Sequence, residues 1–180
     1  MKQKIKLEFY FALLFLTFSC SSNDDSIDCP KKQGDLNTEI NDIIKFNPRF
    51  VTYAKVEGVL SLAAVQLDDD CLFRAIVSFM IENKKGRQDL NKLDIQNRFN
   101  PSTSSFSEAD GDAVLGSWDL LETEPAWIEI DVLEDKAMEG RFHSTYLHKT
   151  NQNDFHSLPD TLRFKNVSFK AELIVLSDDQ

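Results

Sequence analysis

The sequence is poor in the residue types that usually build metal centres and nucleophilic active sites. Its 180 residues include only three histidines and three cysteines. It contains no G-x-S-x-G nucleophile elbow, no phosphate-binding P-loop and no G-x-G-x-x-G dinucleotide motif. Its 30 Asp and Glu residues are so numerous that a chance pair of carboxylates does not indicate a glycosidase. We therefore predict a protein that is not an enzyme and that uses no cofactor.

Basic charge is also scarce. Twenty Lys and Arg residues stand against 30 Asp and Glu residues, which gives a formal net charge of −10 at pH 7. Nucleic acids and anionic lipid surfaces are bound by basic patches. The acidic balance therefore predicts no nucleic-acid partner and is typical of a protein that must stay soluble outside the cell.

The sequence has one long apolar run, and this run is too short to span a bilayer as a helix. It covers about ten residues, from Phe9 to Phe18, whereas a membrane-spanning helix needs about 20. The small residue Ser19 follows it, and three basic residues precede it: Lys2, Lys4 and Lys6. This order is typical of a secretory signal, so we predict that the chain is exported.

Ser19 and Cys20, followed by an abruptly polar stretch, resemble the lipobox of bacterial lipoproteins, in the looser form found in the Bacteroidota. The resemblance implies that residues 1–19 are a signal peptide and are removed. It also implies that Cys20 becomes an N-terminus acylated with fatty acids such as palmitate, which would hold the protein on a membrane. The alternative is an ordinary secretory signal in which Cys20 has no special role, or a weak membrane anchor.

Two acidic residues, Asp24 and Asp25, follow this cysteine. In some Bacteroidota, acidic residues at this distance act as a signal for export to the cell surface. The resemblance therefore implies a surface-exposed outer-membrane lipoprotein, with a periplasm-facing anchor as the alternative. Ser26 and Thr161 lie in Asp-Ser/Thr-aliphatic sequences, which resemble the O-glycan attachment sites of the same phylum.

If Cys20 carries lipid, Cys29 and Cys71 remain as an even pair in an oxidising compartment. A disulfide between them would close a loop of about 40 residues and contribute roughly 3–4 kcal/mol of stability in the chain-entropy model. The alternative is two separate thiols, with Cys71 buried in a strand as a small apolar residue.

Strand patterns dominate the chain from residue 50 onward, with turn residues about every 8–12 positions, which is typical of a sandwich or barrel. We predict an all-β fold, an antiparallel β-sandwich or open barrel of about 8–9 strands with one short N-terminal helix. The spacing of Ile40, Ile43 and Ile44 indicates the helix. The predicted strands cover residues 50–56, 59–67, 71–81, 92–97, 113–121, 126–134, 138–148, 161–164 and 167–175.

Length and composition fit one domain. Removal of residues 1–19 leaves 161 residues (180 minus 19), enough to bury a hydrophobic core. Residues 20–34 are polar and lack periodicity, so we expect a flexible tether there. A single β domain is expected at residues 35–177.

The C-terminal half contains a strand at Trp127–Asp131, a G-x-F strand at Gly140–Phe142 and the sequence Leu158-Pro159-Asp160-Thr161-Leu162-Arg163-Phe164. These motifs resemble those of small Bacteroidota lipoproteins that end in a final β-hairpin. The resemblance implies an all-β, lipid-anchored module and brings no activity. We expect Gly140 to permit a bulge or a close approach of backbone, and Phe142 and Phe169 to fill the core.

The three histidines do not form a ligand pattern in the sequence. His143 and His148 lie five positions apart on one predicted strand, so their side chains should point to opposite faces. His156 lies in the following loop and is free to approach either. We predict exposed polar histidines and no metal site. The acidic triplets at 68–70 and 110–112 are expected to be turns rather than calcium ligands.

Trp118 and Trp127 would form a glycan-binding platform if both faced solvent, whereas in a sandwich such residues are more often core packing. The leading prediction is a lipid-anchored cell-envelope module that binds, or structurally supports, an envelope or extracellular protein or polymer. One alternative is a carrier of a lipid or small hydrophobic ligand in a barrel cavity. The other is an accessory protein for glycan binding or degradation.

Overall fold

The computed structural model describes residues 29–56, 58–93, 103–149 and 155–174, which form twelve β-strands and no helix. The predicted all-β class is therefore confirmed. The strands are β1 (Asp35–Leu36), β2 (Thr38–Ile40), β3 (Ile44–Phe46), β4 (Phe50–Val56), β5 (Val59–Leu67), β6 (Phe73–Glu82), β7 (Gly86–Asp89), β8 (Ser104–Asp110), β9 (Ala113–Leu120), β10 (Trp127–Leu133), β11 (Ala137–His148) and β12 (Thr161–Leu173).

Seven of these strands close into a barrel. The pairing runs from β4 through β5, β6, β8, β9 and β11 to β12, and β12 pairs again with β4. The β12–β4 contact is parallel, through Glu172 with Thr52 and Leu173 with Tyr53, and the other contacts in the ring are antiparallel. Outside the ring, β10 pairs with β11 and β7 with β10, while β1 lies on β12.

One end of the barrel is formed by the β5–β6 turn at 68–72, the β8–β9 turn at 111–112 and the described residues of the β11–β12 connection, 149 and 155–160. We call it the Cys71 end, after the cysteine in the first turn. The turns are joined by a hydrogen bond from the Gly111 amide to the Phe73 carbonyl, at 3.1 Å. The side chains discussed below lie at this end.

Aromatic side chains fill the barrel interior. Phe164 on β12 is fully buried and contacts the rings of Phe46, Phe106, Phe142 and Tyr146, with centroid separations between 5.6 and 6.1 Å. Such edge-to-face and tilted contacts add to the stabilisation from burial. The two aromatic residues expected in the core, Phe142 and Phe169, are both buried, which confirms that prediction.

The predicted N-terminal helix is wrong, because β2 and β3 form a hairpin in its place. Asn41 and Asp42 adopt positive φ angles of 55° and 62° in the turn, which Asn and Asp tolerate better than most residues. The Asn41 side chain donates to the Thr161 carbonyl and accepts from the Arg163 amide, both at 2.8 Å. These bonds dock the hairpin on β12, and Ile43 at its tip is 76% exposed.

The predicted final hairpin around Lys165 and Asn166 is also wrong. Residues 161–173 form one continuous strand, and Asn166 has a φ of 50° at a bulge in it. The register against β11 shifts there, because Phe142 pairs with Val167 whereas Ser144 pairs with Phe164. The real hairpin is β11–β12, with the 149–160 connection as its loop.

The described residues form twelve strands, more than the predicted 8–9. The additional strands are short or polar and lack the hydrophobic alternation from which a strand is predicted. The unpredicted strands are β1, β2, β3, β7 and the serine-rich β8. Residues 94–97 of the predicted strand 92–97 lie outside the described residues, and Lys92 lies in a turn. The predicted close approach at Gly140 is confirmed, because a Cβ atom there would lie 2.1 Å from the Glu129 carbonyl oxygen.

A Cys29–Cys71 disulfide is present, with the two Cα atoms 5.5 Å apart, so the predicted pairing is confirmed. Cys71 lies in a turn with a φ of 63° rather than in a strand. The chain stays attached beyond the disulfide, because the Gln33 amide donates to Arg49 and its carbonyl accepts from Val51. The described chain is thus attached to the barrel from Cys29 onward.

Phe164→Ala should lower the free energy of unfolding by about 3–5 kcal/mol, because it removes the ring that joins four others and leaves a cavity. Urea denaturation followed by tryptophan fluorescence measures the change. The matched control is Phe155→Ala, because Phe155 is exposed and its loss should change stability by no more than about 0.5 kcal/mol. Equal effects of the two variants would contradict the assigned core.

Removal of the disulfide should lower the free energy of unfolding by roughly 3–4 kcal/mol, because the unfolded chain regains the freedom of the closed loop. The measurement compares the urea midpoints of the wild type, with and without reductant, and of the Cys29→Ser/Cys71→Ser double variant. Reductant should shift the wild type and leave the double variant unchanged. A wild-type midpoint insensitive to full reduction would contradict the stabilising role.

Candidate functional site

A cluster of polar and aromatic side chains lies inside the Cys71 end of the barrel. Two of its members point inward from neighbouring strands: Trp118 from β9 is fully buried, and His148 at the end of β11 is 7% exposed. Residues 155–160 of the β11–β12 connection return toward these side chains and complete the cluster.

Three hydrogen bonds fix the start and end of this connection. The His148 amide donates to the Asp160 carbonyl at 2.8 Å, and the Lys149 amide donates to the Ser117 carbonyl at 2.9 Å. The Trp118 indole N–H donates to the Pro159 carbonyl at 3.0 Å. A buried indole needs such an acceptor, so the connection satisfies the one polar atom of the Trp118 side chain.

Glu108 on β8 holds the middle of the same connection. Its side chain lies in the barrel end, and the residue is only 8% exposed. Its carboxylate accepts hydrogen bonds from the Ser157 hydroxyl, from the Ser157 amide at 3.0 Å and from the Leu158 amide at 3.4 Å. A buried carboxylate needs several donors, and here backbone and side-chain donors of residues 157 and 158 supply them.

His156 is carried into the cluster by these contacts. Its ring lies on that of His148, with centroids 4.0 Å apart and planes inclined by 30°. The Trp118 ring meets His148 and His156 edge-on, at 5.0 and 5.4 Å. Gly116 makes room for this arrangement, because a Cβ atom there would lie 2.7 Å from His156 Cβ and 2.8 Å from Trp118 Cη2.

Asp160 brings a carboxylate to the two imidazoles. His156 Nε2 lies 3.3 Å from Asp160 Oδ1. One ligand atom from each of His148, His156 and Asp160 lies within 4.8 Å of the others. The Asp160 side chain is 80% exposed, so the cluster extends from the buried barrel end to solvent.

The prediction of exposed histidines is therefore wrong for His148 and His156. Strand periodicity correctly separates His143 from His148, but it does not show that the connection folds back over the barrel end. Pro159 and Asp160 are a sequence signal for this return, because they end the loop beside Trp118 and His148.

The condition for a glycan platform, that Trp118 and Trp127 both face solvent, is not met, because Trp118 has no exposed surface and packs in the core. Trp127 is partly exposed on β10 and lies elsewhere on the barrel. Its ring stacks on His143, with centroids 6.0 Å apart and planes inclined by 11°, and the Arg87 guanidinium lies 4.1 Å from its centroid. Through these contacts Trp127 packs on the surface of β10 and β7, the two strands that pair outside the barrel ring.

The acidic triplets form turns, as predicted. Asp68 Oδ1 accepts hydrogen bonds from the Asp70 and Leu72 amides, at 3.0 and 2.8 Å. The Arg74 guanidinium binds both Asp68 and Asp110 and so joins the two turns. The Leu72 amide, followed by Arg74, lowers the pKa of Asp68. Both carboxylate oxygens of Asp68 and one of Asp110 are thus engaged by backbone amides and a guanidinium.

The remaining predicted site residues divide into two groups. The lipid-attachment residue, the export signal and one glycan site lie outside the described residues: Cys20, Asp24, Asp25 and Ser26. Thr161 is partly buried at the start of β12, where it pairs with Leu147, and its modification stays a prediction.

Glu108→Gln should release residues 157–158, because an amide has one acceptor oxygen where the carboxylate has two. We expect a loss of about 1–3 kcal/mol in unfolding free energy and faster hydrogen exchange at the Ser157 and Leu158 amides. The control is Glu129→Gln, which removes only a surface ion pair with Arg141 and should cost at most about 1 kcal/mol. Unchanged exchange at both amides in Glu108→Gln would contradict the role of Glu108.

Comparisons with known proteins assign no family to this chain. No family model matches it, and no curated protein or solved structure does. Among residues 29–56, 58–93, 103–149 and 155–174, no helix has the length and apolar character needed to cross a membrane.

Proposed function

We propose that the protein is a lipid-anchored component of the cell envelope, whose barrel binds or structurally supports an envelope or extracellular protein or polymer without catalysing a reaction. The observation that carries the proposal is the Cys29–Cys71 disulfide. Disulfides form and persist in oxidising compartments. If Cys20 is lipidated, Cys29 and Cys71 are the two cysteines that remain for a disulfide. The disulfide and the lipobox resemblance therefore both support a location in the cell envelope.

The disulfide also limits how far the barrel can lie from the proposed anchor. Nine residue steps separate Cys20 from Cys29, and even a fully extended chain of that length spans only about 30 Å. Cys29 is bonded to the turn at Cys71. In this proposal the Cys71 end faces the lipid surface, and the opposite end, with the β4–β5 turn, is available to partners.

The packed interior favours this proposal over a carrier of hydrophobic ligands. Such carriers need a cavity of a few hundred Å³. In the described part of the barrel, the interior is occupied by mutually contacting aromatic rings centred on Phe164. A glycan-binding role loses its main support with the burial of Trp118, so neither alternative is favoured by an observation.

Cys20→Ala should move the protein from the membrane fraction to the soluble fraction, because the proposed acylation site is lost. The measurement is fractionation of cells that express the full chain, with globomycin treatment expected to cause accumulation of the unprocessed wild-type precursor. Ser21→Ala is the matched control and should remain in the membrane fraction. A Cys20→Ala variant that is still membrane-bound, with processing insensitive to globomycin, would refute the anchor. Protease treatment of intact cells separates surface exposure from a periplasmic location.

A further inference from the structure

We propose that His148, His156 and Asp160 bind one divalent transition-metal ion of the Zn²⁺ or Cu²⁺ type. This site departs from the sequence-based prediction of no metal, because residues 155–160 lie against the end of β11 and bring together ligands that the sequence places on a strand and in a loop. It does not depend on the proposed lipid anchor.

The ligand distances suit such an ion. Ligand atoms around a tetrahedral Zn²⁺ ion lie about 3.3 Å apart, given Zn–N bonds of about 2.0 Å. The separation between His156 Nε2 and Asp160 Oδ1 is 3.3 Å. All three ligand atoms lie within 4.8 Å of one another, so the shift needed to surround an ion is small.

The surroundings hold the ligands in place before an ion arrives. The backbones of His148 and Asp160 are joined directly by a hydrogen bond of 2.8 Å. His156 precedes Ser157, whose amide and hydroxyl are held by the buried Glu108 carboxylate. Pre-organisation of this kind raises affinity, since less ordering is needed on binding.

The donor set selects the class of ion. Two imidazoles and one carboxylate favour Zn²⁺, Cu²⁺ or Ni²⁺, whereas Ca²⁺ and Mg²⁺ prefer sites built from oxygen ligands. Three protein ligands leave a fourth position for water or a partner's ligand. Because the Asp160 side chain is exposed, ions can enter from the solvent side. A bound ion would fasten the 155–160 segment to the end of β11.

The experiment is a titration of the full chain, purified in detergent without a histidine tag and stripped of metal with EDTA. Isothermal titration with Zn²⁺ should show one saturable site per chain, and Zn²⁺ should raise the melting temperature by linkage. With Cu²⁺ in place of Zn²⁺, electron paramagnetic resonance should show coordination by two imidazole nitrogens. Ca²⁺ should show no saturable binding at the same concentrations.

Variants separate the proposed ligands from other surface groups. Asp160→Asn and His156→Gln should each weaken Zn²⁺ binding by at least about tenfold. Asp160 is exposed and carries no core packing, so its variant stays informative even if substitution of His148 prevents folding. His143→Ala is the matched control, because it removes the one histidine that is not a proposed ligand. It should leave the affinity for Zn²⁺ unchanged within about twofold.

Three results would overturn the proposal. The first is the absence of a saturable Zn²⁺ or Cu²⁺ site in the folded wild-type chain. The second is Zn²⁺ binding of unchanged affinity in Asp160→Asn and His156→Gln. The third is binding that is the same for Ca²⁺ as for Zn²⁺. In each case the cluster would serve only to close the barrel end.

Discussion

The antiparallel pairing of β11 with β12 is the constraint on which the rest of the structure depends. Along its other edge β11 pairs with β10 and then with β9, while β12 pairs with β1 and with β4. The barrel closes only because this pair joins its two halves. The same register places Phe142 and Phe164 inside the barrel and leaves His148 at its end. Residues 155–160, which lead into β12, lie against that end and bring His156 and Asp160 to His148.

Much of the fold could be predicted from periodicity, and what was missed has identifiable causes. The sequence predicts β10 from its alternation of branched and polar residues, and it predicts β5 and β6 from their long apolar runs. The sequence pattern does not predict strand β8, because serines occupy much of it. One of these serines, Ser104, faces inward and hydrogen-bonds to the Tyr146 hydroxyl at 2.6 Å. The prediction of a helix around Ile40 is wrong because Asn41 and Asp42 favour a turn, and this preference outweighs a short i, i+3, i+4 pattern.

The candidate site was less predictable than the fold, because its parts are far apart in the sequence. Glu108 and Ser157 are 49 residues apart, and no local pattern links a glutamate on a strand with a serine in a later loop. The disulfide was predictable only through cysteine parity and compartment, which use no geometry. By contrast, the turn at Asp68 was predictable because its side chain bonds to its own backbone within four residues.

The inward-facing residues of the barrel become polar toward the Cys71 end. Along β11 the inward series runs from Met138 and Phe142 to Ser144, Tyr146 and His148, and β8 adds Glu108 to the same end. Burial of such groups costs free energy that their hydrogen bonds only partly offset, and apolar residues of similar size usually seal a core as well or better. Stability alone therefore does not account for the buried His148 and Glu108 at this end. The proposed ion site does, because His148 supplies an electron pair to the ion and Glu108 holds Ser157, the residue next to His156.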